Sequence, residues 1–350
     1  MNQRLFFILN GNNGATYIIN TANWIEISES LKFYRAYSLK SRVLKEGLRL
    51  FLWSKTNFYP KRLKIVEEMQ EYLQSLSQSN INFQLDTKFS VLVSPTRDKV
   101  IVNHHSEYFQ KFAFGKSYRK VKNEANIYSL FKKPLKHFQV SEFYDAENRD
   151  AQLCSFKLSN SHLITTKSNS SDLVPALVEF FQISQVKNIK VDLFLEKLMK
   201  QTEFLELGII DMQAELLKRF NDIYGNWEVP LGLVHRDFKP WNILNYGKIL
   251  IFDFEEAITD GLPLEDMFNF YCDPIIRYQE TPKVAEVMLD TKMIERYNAY
   301  LKELNITLGY DFFLHIYLIE RIIFWSNAKE PVTSNSYLNL SNYLINNSRP

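Results

Sequence analysis

"GLVHRDFKPWNILNYGKILIFDFE", residues 232–255, is the stretch that decides the fold. Ile243–Leu244 and Ile249–Phe252 are two short apolar runs, and Asn245-Tyr246-Gly247-Lys248 between them is a β-hairpin signal. Pairing the two runs brings Asn242 and Asp253 to the same end of the hairpin. An amide oxygen and a carboxylate then lie together, the oxygen-rich shell that a hard cation such as Mg2+ prefers. Asp237 stands five residues before Asn242. Its carboxylate is placed to accept the proton of an attacking hydroxyl and hold that oxygen in line. The plainer reading is a hairpin whose Asp and Asn serve as turn formers. With only 6 histidines in 350 residues, a chance H-x-D-x-x-x-x-N before such a hairpin is rare, so the chemical reading is preferred.

Working outward, residues 86–157 read as strands: "KFSVLV", "KVIVNH", "EYFQKFAF", "QVSEFYD" and "AQLCSFKL". The helical "VKNEANIYSLFKK" interrupts them after the third. Three strands, a helix and two strands make an antiparallel sheet with one helix packed on it. Residues 170–220 and 263–345 are mainly helical, with the quoted stretch between them. The fold class expected is therefore α+β and bilobal. A small antiparallel sheet lobe (86–160) precedes a larger, mainly helical lobe (161–350). Residues 1–85 form a basic N-terminal accessory region of mixed character, ending in the helical "KRLKIVEEMQEYLQSLSQSN" (61–80), where Leu63, Val66, Met69, Leu73 and Leu76 recur at three- and four-residue steps.

His235-Arg236-Asp237-Phe238-Lys239-Pro240-Trp241-Asn242 followed by "IFDFE" resembles the catalytic and metal loops of the protein-kinase-like fold. More narrowly, it is similar to the aminoglycoside phosphotransferase and choline kinase group of small-molecule kinases, with Pro263-Leu264-Glu265-Asp266 in the setting of that group's downstream aspartate. The resemblance implies ATP and Mg2+ as cofactors and a small-molecule alcohol as acceptor. It makes Asp237 the base, Asn242 and Asp253 metal ligands, and Glu255 a residue reaching toward the metal. His235 buttresses the loop, and Asp266 is an architectural carboxylate bonding back to it. Lys239 sits where protein kinases carry a phosphate-contacting lysine. Against a protein kinase stand Phe-Glu after Asp253, the absence of an A-P-E triplet beyond it, and only twelve residues between Asp253 and Asp266.

On the nucleotide side, the resemblance calls for a strand lysine paired to a helix glutamate, and Lys111 and Glu124 match in order and element. Lys116, Lys120 and Lys122 are rivals. No glycine occurs between Gly47 and Gly115, so no Gly-rich loop covers the phosphates; Ser94 and Thr96 in "LVSPTRDKVIV" offer hydroxyls in its place. That departure keeps a second reading open, a pseudokinase that binds nucleotide as a scaffold.

From Lys32 to Lys64 ten residues are Lys or Arg, and Glu46 is the one acid. Within "SLKSRVLKEGLRLFLW", Arg42, Lys45 and Arg49 share one helical face, with Leu39, Val43 and Leu50 turned away. A packed accessory region with a basic face is preferred to an anionic membrane surface as the reading of 32–64. The same run tilts the acceptor, among sugars, amino-alcohols and aminoglycoside-like molecules, toward a carbohydrate precursor of the cell envelope. A net charge of +2 gives no global field for nucleic acid. Two cysteines without CxxC spacing, no signal-like leader, and charged residues inside the apolar 312–325 run together suggest a cytoplasmic protein, at most peripheral to the membrane's inner face. The sequence says nothing of oligomeric state.

Overall fold

A computed structural model describes residues 6–11, 14–33, 39–58, 71, 88–96, 98–105, 107–149, 153–159, 173–184, 187–202, 211–246 and 248–347. The chain divides into two units, Met1–Ser129 with Val140–Ile164, and Leu130–Gln139 with Thr165–Pro350. Strand and helix content together make it an α+β protein.

The first unit is built on β1 (Phe6–Asn10), β2 (Thr16–Asn20), α1 (Trp24–Ser30), α2 (Leu39–Phe58), β3 (Phe89–Val93), β4 (Lys99–His104), β5 (Tyr108–Phe114), α3 (Tyr118–Tyr128), β7 (Phe143–Arg149) and β8 (Leu153–Ser159); a short β6 (Phe138–Val140) pairs elsewhere. Its antiparallel sheet has the order β1-β2-β3-β4-β5-β8-β7. The strand–strand–strand–helix–strand–strand order expected from 86–157 is found in this sheet, except that "QVSEFYD" (139–145), read as one strand, covers the end of β6 and the start of β7. One correction concerns the N-terminal region. β2 pairs directly with β3, Ile18 opposite Val91, so β1 and β2 belong to this sheet rather than to a separate region ending at 85. Their apolar alternation completes the same buried face: Phe6 and Ile18 pack with Phe89, Val91, Val93, Val100, Val102 and Phe112.

α1 starts where the Asn23 side chain accepts hydrogen bonds from the Ile25 and Glu26 amides, capping two otherwise unpaired donors. It is tied to the sheet by a buried polar cluster. His105 bonds the Glu26 carboxylate through Nδ1 and lies 3.1 Å from Ser90 Oγ through Nε2. α2 differs from the expectation. Leu52 packs inward on Ile19, Ile27 and Leu31, while Val43 (65% exposed) and Leu50 (56%) face solvent. The partly buried Arg49 lies against the first helix, its guanidinium 4.0 Å from the Trp24 ring centroid and paired with Glu46. The helix expected over 61–80 lies outside the described residues except for Glu71.

In the second unit, β9 (Lys187–Lys190), β10 (Glu228–Val234) and β13 (Ile258–Gly261) form an antiparallel sheet, and β11 (Ile243–Tyr246) and β12 (Lys248–Ile251) pair antiparallel in a second sheet that β6 completes. Around them lie α4 (Leu173–Phe181), α5 (Val191–Thr202), α6 (Asp211–Tyr224), α7 (Glu265–Cys272), α8 (Thr281–Met288), α9 (Thr291–Glu303), α10 (Tyr310–Asn327) and α11 (Pro331–Asn347). β10 and β13 approach closely: a Cβ on Gly261 would lie 1.9 Å from Val234 Cγ2. The apolar run 312–325 falls within α10 and is largely buried. Among the described residues no helix is long and apolar enough to cross a membrane.

Beneath the hairpin sits a cluster of rings. Phe254 lies 5.3 Å from Phe131, 5.9 Å from Phe180 and 5.2 Å from His235, centroid to centroid. Phe131 and Phe138 reach this cluster from residues 130–139, whose backbone is fixed when the Glu179 carboxylate accepts from the Lys136 and His137 amides at 2.7 Å each.

Candidate active site

β10 delivers the chain into the loop 235–242, and the turn at its mouth is sharp. Arg236 adopts a left-handed conformation (φ 62°), as do Asp253 (φ 70°) and Leu264 (φ 67°). Each such non-glycine residue carries a cost of about 1–3 kcal/mol, sustained only where the surroundings over-determine it. Here Asp266 does so. Its buried carboxylate accepts from the His235 amide (2.7 Å) and the Arg236 amide (3.0 Å). Asn269 donates to the Arg236 carbonyl at 3.0 Å and accepts from Tyr317 at 3.1 Å. Burial pushes the Asp266 carboxyl up to about 8, against the pull of the two amides that favour its charged form.

His235 is wholly buried, and its Nε2 lies 2.9 Å from the Phe252 carbonyl, which makes Nε2 the protonated nitrogen. Burial holds its pKa below the ordinary range, outweighing the Phe252 carbonyl and the nearby Asp253 and Asp237 charges. A neutral imidazole bonded to backbone braces the end of the hairpin against the loop. Phe238, also fully buried, anchors the loop's middle.

The hairpin pairs Ile243 with Ile251 and Leu244 with Leu250. The Phe252 amide points to the Asn242 carbonyl at 3.4 Å, so Asn242 and Asp253 stand at one end of it. The Asn242 amide nitrogen donates to both the Asp237 carbonyl and Asp237 Oδ2, each at 2.8 Å. That commits the nitrogen and leaves Asn242 Oδ1 as the acceptor end of the group. A carboxylate oxygen of Asp253 and one of Glu255 lie within 4.8 Å of each other, both residues partly exposed. Amide and carboxylate oxygens are the donors a hard divalent cation takes, at about 2.1 Å for Mg2+, so the residue set fits one.

Asp237 is partly accessible, its side chain 32% exposed. Lys239 Nζ lies 2.6 Å from Asp237 Oδ1 and 2.8 Å from Asp273 Oδ2. Asp273 in turn accepts from the Tyr337 hydroxyl and pairs with Arg321 at 3.5 Å. Burial alone would lower Lys239, but Asp273 and then Asp237 hold it above the usual lysine range. For Asp273 burial acts upward and is outweighed by Arg321 and Lys239, which keep the carboxyl below its usual range. On the loop's other flank Arg236 Nε pairs with Glu265 at 3.1 Å, and burial beside Glu265 pushes Glu320 up to about 8.

In the first unit, Lys111 Nζ bonds both oxygens of the fully buried Glu124, at 2.9 and 2.7 Å. Strand alternation explains it: Phe112 enters one face of the sheet, and Lys111, in register with Ile101 and Phe156, enters the other. The turn of Ser94 and Thr96 is held by its own acid. Both hydroxyls bond Asp98 Oδ1, and Ser94 Oγ also accepts from the Lys99 amide at 3.2 Å. Asp98 Oδ2 accepts from the Ser117 amide at 3.1 Å. These bonds outweigh burial and hold the Asp98 carboxyl below its usual range, so Asp98 itself is ionised at neutral pH.

Sequence reading missed Asp273, Tyr337 and Asn269 as partners of the loop. One signal was present: Arg321 lies inside an apolar run, and a buried guanidinium demands a counter-charge.

No family model matches the chain, and no curated protein matches it. Among solved structures it is similar to a thermostable mutant of the aminoglycoside phosphotransferase APH(4)-Ia in ternary complex with AMP-PNP and hygromycin B, at 11% identity over 81% of this chain and 99% of that chain, with a TM-score of 0.47. It is also similar to the GDP complex of wild-type aminoglycoside 2'-phosphotransferase-IIIa, at 13% identity over 81% and 100% of the two chains and a TM-score of 0.44. A third is choline kinase LicA from Streptococcus pneumoniae, at 13% identity, 80% and 97% coverage and a TM-score of 0.43. These are likenesses of fold alone.

Proposed function

We propose that this chain is an ATP-dependent phosphotransferase acting on a hydroxyl group of a small molecule. The observation that carries the reading is the accessible Asp237 carboxylate, held by Asn242 on a loop that Asp266 pins by two backbone amides. A carboxylate so fixed can take the acceptor's hydroxyl proton as the acceptor oxygen bonds to the terminal phosphorus and the bond to the leaving diphosphate breaks. Lys239, kept charged by its two acid neighbours, offsets negative charge beside the base. Lys111, gripped by Glu124, is assigned to the nucleotide's phosphates. Asn242, Asp253 and Glu255 are assigned to a divalent cation, which when bound would neutralise phosphate charge.

The test is MgATP turnover by the full chain with pooled sugars and amino-alcohols, with ATP binding followed by calorimetry. Asp237→Asn should abolish transfer and leave ATP binding intact. Equal transfer by wild type and variant would remove Asp237 from the chemistry. A second reading, a nucleotide-binding scaffold without efficient transfer, is favoured by the ionised Asp98 in a glycine-free turn whose hydroxyls already bond it. ATP binding without turnover on any acceptor selects it.

A further inference from the structure

We propose that Asp273 is a positioning residue for phosphoryl transfer and acts through Lys239. The proposal rests on the phosphotransferase reading and adds a residue to it.

Lys239 joins Asp237 to Asp273, with its ammonium 2.6 Å from the first and 2.8 Å from the second. A lysine has a flexible four-carbon stem and a point charge, so its direction comes from what its ammonium touches. Asp237 is a poor anchor for it, because that carboxylate is partly exposed and must itself engage an acceptor hydroxyl. Asp273 is a good one. Its side chain is 5% exposed, and it follows the last residue of α7. Its other oxygen is fixed by the Tyr337 hydroxyl from α11 and by Arg321 from α10. Both of those side chains are buried, so the carboxylate cannot turn away from Lys239 without breaking two contacts.

The charges alternate along this line: Asp237, Lys239, Asp273, Arg321. A carboxylate serving only to join α7, α10 and α11 is compensated by Arg321 alone. The second cation, which also touches the base, is what a structural role leaves unexplained. Asp273 therefore sets where the Lys239 charge stands when negative charge shifts beside Asp237. It makes no contact with the reacting atoms and takes no proton.

The experiment has one arm without nucleotide and one with it. Trace acetic anhydride labelling of the folded full chain, read by peptide mass spectrometry from pH 7 to 11, reports the reactivity of Lys239 against the exposed Lys200. In the wild type Lys239 should be protected relative to Lys200. Asp273→Asn should raise its reactivity tenfold or more. If that variant does not fold, the wild-type labelling decides, and a Lys239 as reactive at pH 7 as the exposed Lys200 overturns the proposal. In the second arm, MgATP turnover is compared for wild type, Asp273→Asn, Lys239→Met and the double variant. Asp273→Asn should lower kcat ten- to a hundredfold with KM for ATP within twofold, and the double variant should lose no more than Lys239→Met alone. Multiplying losses would mean that Asp273 acts apart from Lys239, and the proposal fails. A wild type that neither binds nor turns over MgATP removes the phosphotransferase reading and the catalytic role with it. The labelling arm tells that outcome from a failed Lys239–Asp273 tie.

Discussion

Replacing Asp266 by Asn probes the acid that pins the loop. Asn retains one acceptor oxygen but turns an NH2 toward one of the two backbone amides that Asp266 receives, leaving a buried N–H without its partner. That loss is worth about 1–3 kcal/mol. A second effect runs the other way and depends on pH. The Asp266 carboxyl is raised from 3.8 to about 8 in the folded chain, so between those values the native state holds one more proton than the unfolded state. Stability of the wild type then falls as pH rises, by roughly 2–3 kcal/mol between pH 5 and 7. The asparagine variant has no such slope. At pH 5 it should be the less stable protein by about 1–3 kcal/mol; by pH 7 the gap should close or reverse. Urea unfolding of both proteins at pH 5, 6 and 7, followed by tryptophan fluorescence, measures the difference directly. Glu320, also raised, contributes to both and cancels to first order. A gap that stays constant from pH 5 to 7 would show a carboxylate already ionised in the native state, and the reasoning from burial would be refuted.

Phe254→Ala should cost about 3–5 kcal/mol, because the ring is wholly buried against Phe131, Phe180 and His235; a loss under 1 kcal/mol in urea unfolding would mean the cluster repacks freely. Glu124→Gln removes the carboxylate that grips the mostly buried Lys111 ammonium and should destabilise the chain, by up to about 3–5 kcal/mol, with weaker ATP binding by calorimetry. Unchanged stability and affinity would mark the pair as incidental. Chelation of divalent cations should abolish MgATP turnover and its restoration should follow added Mg2+; turnover that persists in excess EDTA would remove Asn242, Asp253 and Glu255 from metal binding.

What the sequence made legible was local or periodic. The hairpin after Asn242 announces itself because apolar runs and turn residues are neighbours in the chain. β3, β4, β5, α3 and β8 are legible because alternation and helical period change visibly from one to the next, and Lys111 and Glu124 are thirteen positions apart on consecutive elements. The line from Lys239 through Asp273 to Arg321 and Tyr337 was not legible, since its members are spread over 98 positions and meet only when α7, α10 and α11 pack. The same holds for Glu26, Ser90 and His105, and for the pairing of β2 with β3. α2 was misread for a different reason. Its pattern defines two faces but not which one is covered, and Arg49 packs on Trp24 while Val43 and Leu50 face solvent.

Residues 130–139 are a short excursion: the backbone leaves the first unit after Ser129, lodges in the second, and returns at Val140. The larger unit is thus not a contiguous piece of polypeptide. A recombinant fragment starting at Thr165 would omit Phe131 and Phe138, exposing Phe180 and Phe254 directly under the loop that carries Asp237. Such a fragment should be insoluble or should bind hydrophobic dyes, and supplying the missing decapeptide through a linker is the construction that would let the larger unit be studied by itself.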